Sequence, residues 1–265
     1  MNTQSYPPIT LFSYITSPFA WKVHCYLLYK KVSFEIFYVN PANSARELPM
    51  GTQIPVLKIG DEVRNNSLAL GIWLDDYYTE TASLIPDNHS LKKEVLEIDQ
   101  FVSNTLIPAV FYTVYPQLCG LRLTNISNTL RLGYLVERTT TNGLPFGLRF
   151  LWLFFIRYTP FIRRIVTPMA KTGGVQACRK SALSYLEDKL KDRDFLAGTE
   201  QPSLADLSAW PQIMMPTMLG LSGFDDYLEY PNIRSWVIRT EAFIQPNPGE
   251  PAIVPDLQKL NKIMD

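Results

Sequence analysis

What the chain has little of narrows the field first. Its three cysteines, Cys25, Cys119 and Cys178, stand far apart and form no C-x-x-C pair, which argues against a zinc ribbon and a dithiol redox site. Its two histidines, His24 and His89, are isolated, so no metal site is expected. There is no glycine-rich phosphate loop and no G-x-S-x-G elbow. Neither sign of charge is in excess: Lys plus Arg and Asp plus Glu number 25 each, so no overall field attracts nucleic acid. In the most apolar stretch, residues 144–166, the uncharged run between Arg149 and Arg157 falls far short of the roughly 20 residues a bilayer span needs. Residues 1–8 carry neither the basic nor the apolar segment of a signal peptide. With an odd cysteine count and no disulfide framework, the expected location is cytoplasmic. One absence is local. No acid lies between Glu137 and Glu187, while Arg138, Arg149, Arg157, Arg163, Arg164, Lys171, Arg179 and Lys180 all do.

What is present is a chain with 46% hydrophobic residues, enough for a sizeable core. The stretch 53–60, Gln-Ile-Pro-Val-Leu-Lys-Ile-Gly, reads as a short apolar strand with proline at its entrance, where a missing N–H costs least. Ile54-Pro55 is also a place where a cis peptide is affordable. Val63 starts a second short strand, and Ser67 reads as the cap of a helix through Leu68, Leu70, Ile72 and Trp73. A helix start with free N–H groups is a seat for a carboxylate, although the same residues also suit an ordinary edge strand and cap. Upstream, residues 9–14 read as a buried strand. Pro18 then opens a helix with Ser17 as its cap, and residues 34–39 read as a strand. Cys25 falls on that first helix, as a buried structural thiol.

The order strand, helix, strand, proline strand, hairpin, helix resembles the thioredoxin-like domain of the cytosolic glutathione transferases. Ser17-Pro18-Phe19 stands in the place of their catalytic serine or cysteine, Ile54-Pro55-Val56-Leu57 matches their cis-proline strand, and Asn66-Ser67 matches their acid-or-amide-plus-serine pair. The resemblance implies an α/β thioredoxin-like domain over residues 1–80 and an all-helical domain over residues 89–265. Pattern agrees along the second part. Leu91, Val95, Ile98, Val102 and Leu106 keep a helical period, with Pro108 expected to kink that helix. Further helices are expected at residues 126–137 and 175–190, at Ser203-Leu204-Ala205-Asp206 with a capping arrangement, and after Tyr230-Pro231. Residues 121–170 exceed what the transferases usually carry there and read as an inserted helical hairpin.

The resemblance also implies chemistry: attack of glutathione thiolate on a small apolar electrophile, in a homodimer. Ser17 would donate to the thiol, helped by the helix dipole, with Tyr14 as the rival donor. Phe19, Gln53, Ile54, Pro55, Asn66 and Ser67 would hold glutathione. The backbone at Ile54 would pair with the cysteinyl part, and Ser67 would hold the γ-glutamyl carboxylate. Asn66 replaces the common acid or glutamine of the pair, and Gln53 stands where some classes have lysine, so two charges are missing. Tyr14, Tyr112, Tyr115, Trp210 and Met214 are the candidates for the wall of the second-substrate pocket. Two other readings remain: a binding or scaffold protein with a degenerate glutathione site, and a glutathione-dependent reductase or isomerase. The basic, aromatic stretch 144–171 suits either a lid over the cleft or a contact with a membrane surface.

Overall fold

A computed structural model of the chain describes residues 7–114, 122–158, 164, 175–246 and 251. The first half is a four-stranded sheet in the order β2-β1-β3-β4, made of β1 (Ile9–Ser13), β2 (Glu35–Tyr38), β3 (Val56–Ile59) and β4 (Glu62–Asn65). β1 runs parallel to β2 and antiparallel to β3, with Ile9 opposite Ile59 and Phe12 opposite Val56; β3 and β4 form an antiparallel hairpin. The β1–β2 pair is parallel because α1 (Pro18–Lys30) crosses between them. Leu11, Leu57 and Ile59 belong to the main core with α1 and α3 (Ser67–Tyr77). Val39, Leu48 and Val56 form a smaller cluster with Phe12 and Phe37. A four-residue helix that the sequence pattern did not suggest, α2 (Ser44–Glu47), ends at Leu48 of that cluster.

The second half is helical. α4 (His89–Phe101) passes through a π-helical turn, Val102–Leu106, into α5 (Ile107–Val114). Pro108 was expected to kink this run. The structure meets its missing N–H with a wider turn just upstream, in which the Ile107 N–H bonds the Val102 carbonyl. Then come α6 (Leu123–Thr139), α7 (Leu148–Tyr158), α8 (Val175–Lys189), α9 (Leu204–Met218) and α10 (Pro231–Glu241). α6 and α7 pack closely, and Gly133 is the reason: a Cβ there would lie 2.6 Å from the Trp152 Cβ and 2.9 Å from the Arg149 Cα. α9 starts as its sequence predicts. Its Asp206 is fully buried and accepts from the Ser203 N–H, the Ser203 hydroxyl, the Leu196 N–H and the Trp236 indole at 2.8–2.9 Å. Burial pushes the Asp206 carboxyl above its usual range, and the four donors oppose that.

The halves are held by buried polar ties as well as apolar contact. On α1, Lys22 pairs with Asp99 of α4 at 2.6 Å and donates to Ser103 at 3.0 Å. Asp99 also accepts from Ser208 of α9 at 2.6 Å, and Ser208 bonds the Tyr26 hydroxyl of α1 at 2.6 Å. Gln212, also on α9 and fully buried, donates to the Pro18 carbonyl at 3.1 Å, which fixes the first turn of α1 against the helical half.

Candidate functional site

The site builds from two helix starts and one strand entrance. Ser17 caps α1 in extended conformation (φ −89°, ψ 109°), with Pro18 at the first helical position. Its Oγ accepts from the Ala20 N–H at 3.3 Å, so the hydroxyl proton remains to be given to something else. Pro18 has no N–H, which makes the Phe19 N–H the first donor of the helix start. At the strand entrance the Ile54-Pro55 peptide is cis, as its sequence suggested. Ile54 is half-buried and Gln53 exposed.

At the second helix start the structure corrects the assignment of the cap. Asn66, not Ser67, caps α3: its side-chain oxygen accepts from Leu68 and Ala69 N–H at 3.1 and 3.2 Å. Asparagine and serine both suit that role. The backbone decides, because the capping residue has φ 73°, a conformation asparagine tolerates better than most residues. A non-glycine residue held there is the kind of local strain that clusters at ligand sites. Ser67 thereby becomes the first residue of α3. It is buried, and together with its own N–H it sits at the positive end of the helix dipole.

All of these residues line one cleft of about 1410 Å³ between the halves: Tyr14, Ser17, Phe19, Gln53, Ile54, Pro55, Asn66 and Ser67. The Tyr14 phenol is hydrogen-bonded to Ser44, which lines the same cleft. It is pushed up by burial and further by Glu47, while the bond with Ser44 works the other way. Cys25 is fully buried on α1 and lies away from the cleft, and burial alone raises its thiol well above the ordinary range. It is not a nucleophile.

The expected apolar wall needs correction. Trp210 is buried in the helical core, its indole bonded to the Val237 carbonyl at 3.1 Å, and Met214 packs against that core; neither lines the cleft. α9 is apolar nearly all round, so its sequence marks no single face as the one toward a ligand. The side chain of Tyr112, and Tyr115 altogether, lie outside the described residues. The apolar lining comes instead from Ile72, Leu96, Phe111 and Trp152. Trp152 is on α7, in the stretch the sequence left open between lid and membrane contact. The mixed apolar and aromatic content of that stretch was the available signal. Among the described residues no group of histidine, cysteine and acidic side chains could hold a metal ion.

Comparison with known proteins fits this geometry. Residues 11–82 match the family model described as "Glutathione S-transferase, N-terminal domain". Human glutathione S-transferase theta-2 is 40% identical over 81 residues, 30% of this chain and 32% of that protein, so the match spans about a third of the relative's length. The crystal structure of human glutathione transferase theta-2 superposes with a TM-score of 0.59 at 22% identity, covering 89% of this chain and 82% of that one. The N-terminal part of the chain thus matches the glutathione S-transferase N-terminal domain, and over the whole chain the fold is that of the glutathione transferase superfamily. Its longer alignment is to a protein of another name, zebrafish prostaglandin E synthase 2, 21% identical over 285 residues, which covers 89% of this chain and 71% of that protein. The superfamily's thioredoxin-like sheet followed by an all-helical part is the architecture described above.

Ser67→Ala is expected to weaken glutathione binding by roughly 1–3 kcal/mol, the range for a hydrogen bond to a charged group. Calorimetric titration measures it, and an unchanged affinity would place the γ-glutamyl carboxylate elsewhere.

Proposed function

We propose that this protein conjugates the thiolate of glutathione to a small apolar electrophile, with Ser17 as the residue that favours the ionised sulfur. The supporting observation is that one cleft gathers the Ser17 helix start, the cis Ile54-Pro55 entrance and the Asn66-Ser67 helix start. In this reading the glutathione backbone pairs with Ile54 in strand fashion, and its γ-glutamyl carboxylate meets the Ser67 hydroxyl and N–H. The sulfur then lies at the start of α1, where the Ser17 hydroxyl and the Phe19 N–H both donate. These contacts stabilise the anion and not the thiol, so the proton leaves to solvent more readily. The electrophile sits against Leu96, Phe111 and Trp152. A homodimer and a cytoplasmic location belong to the same reading by resemblance. Among the described residues no helix is long and apolar enough to cross a membrane.

A second reading has its own support. The alignment to prostaglandin E synthase 2 runs over more of the chain than the theta-class match does, which favours a reaction other than conjugation. A reductase working through an enzyme thiol is disfavoured by the burial of Cys25 and by serine at position 17. The scaffold reading draws on Gln53 and Asn66, which bring no charge to the cleft. The deciding experiment offers glutathione with a generic aryl halide, and separately with a disulfide and an isomerisable substrate. Conjugate formation supports the proposal. Turnover of only the latter two supports the second reading. No turnover and no retention on glutathione resin supports the scaffold.

A further inference from the structure

α7 has two working faces. Its inner face brings Trp152, only 4% exposed, into the lining of the cleft, so this helix is part of the cleft's wall. Its outer face is apolar and bare. Phe146, in the turn just before the helix, is 81% exposed; Phe150, Leu151 and Phe154 are 59%, 62% and 63% exposed. Phe150 and Phe154 are four apart and form one stripe, and Phe146 lies beside it, its ring and that of Phe150 both meeting the Arg149 guanidinium.

Positive charge is woven into that stripe. The Arg149 guanidinium lies over the rings of Tyr134, Phe146 and Phe150 at 5.4, 5.5 and 5.2 Å, and Arg138 lies over Tyr134 at 5.5 Å. The nearest acid in sequence does not neutralise them at the surface. Glu137 is buried and accepts from the Gly147 and Arg149 N–H groups at 3.1 and 3.3 Å, capping the start of α7. Arg179 adds no free charge here, being buried and paired with Asp226. Beyond α7 the sequence adds Arg163, Arg164 and Lys171 before any acid.

We propose that the outer face of α7 docks the protein on an anionic lipid bilayer, with Phe146, Phe150, Leu151 and Phe154 entering the interface and Arg138 and Arg149 meeting lipid headgroups. Bulky apolar side chains beside basic ones on an exposed helix match such an interface in both chemistry and depth. The charge pattern selects this occupant over a second copy of the chain. A twofold pairing through the same face would bring two patches of like positive charge together. On the conjugation reading, docking brings one wall of the cleft close to the layer in which apolar electrophiles concentrate.

The test is co-sedimentation of the full chain with vesicles of phosphatidylcholine containing phosphatidylserine and with vesicles of phosphatidylcholine alone. Wild type is expected to sediment with the anionic vesicles at low salt, less at moderate salt, and weakly with the neutral ones. Phe150→Ser with Phe154→Ser is expected to lower the partition by about tenfold or more, with the circular dichroism spectrum unchanged. Phe146→Ser, outside the helix, is the second variant in case the pair disturbs folding. Wild type remaining in the supernatant with anionic vesicles at low salt would overturn the proposal. So would equal sedimentation of folded variants, or a dimer in light scattering that these substitutions convert to monomer, which would make the face a subunit interface. None of these arms contains glutathione, so their outcome is independent of the conjugation reading.

Discussion

Ser17→Ala is expected to lower turnover with glutathione and an aryl halide by about 10²-fold, the usual cost of removing one donor from a developing or resident anion. The loss is expected in kcat/KM at neutral pH, with glutathione affinity changed far less, because the hydroxyl favours the ionised sulfur over the thiol and touches little else of the ligand. The fold is expected to survive. Ser17 loses one capping contact, the 3.3 Å bond from Ala20, which is worth about 1 kcal/mol, while Pro18 still sets the first turn and Gln212 still holds its carbonyl. Steady-state kinetics of the variant beside Tyr14→Phe separates the two donors. Unchanged activity in Ser17→Ala, with a large loss in Tyr14→Phe, would transfer the role to Tyr14.

The second large effect is expected in stability. Lys22 and Asp99 are an ion pair with side chains 0% and 2% exposed, reaching across the two halves. Burial lowers the Lys22 ammonium from its usual range, and Asp99 beside it opposes the shift. Removing one partner strands a charge where water cannot reach it. Lys22→Met is therefore expected to cost about 3–5 kcal/mol in urea unfolding. Lys22→Met together with Asp99→Leu removes both charges, and it is expected to recover most of that loss. Ser208 then keeps its bond with Tyr26. If the double variant is as unstable as the single one, packing rather than charge balance is what Lys22 supplies.

Much of the molecule was legible from local chemistry. Pro18 after a serine, the strand-entrance proline at position 55 and Ser203 three residues before Asp206 each have few structural solutions. The structure places them at the start of α1, just before β3 and at the start of α9. What was not legible depended on choices that the sequence leaves balanced or on distant partners. Asn66 and Ser67 are both good caps, and only the backbone turn at φ 73° selects the first. Trp210 was a candidate for the cleft wall because aromatic residues on a central helix serve either purpose; packing on every side of α9 sends it into the core. The helix Ser44–Glu47 is too short to show a period. Trp152 reaches the cleft only because Gly133 lets α7 approach α6 so closely, a contact between residues 19 positions apart that no local pattern encodes.

The proposed function requires glutathione to bind in this cleft with its sulfur ionised at Ser17. The direct measurement is the thiolate absorbance difference of the glutathione complex, followed as a function of pH. Saturable binding is expected, with a bound thiol that titrates well below the value of about 8.5 for a free thiol and returns toward that value in Ser17→Ala. A bound thiol that titrates like the free one, or no saturable binding at all, would contradict the proposed function.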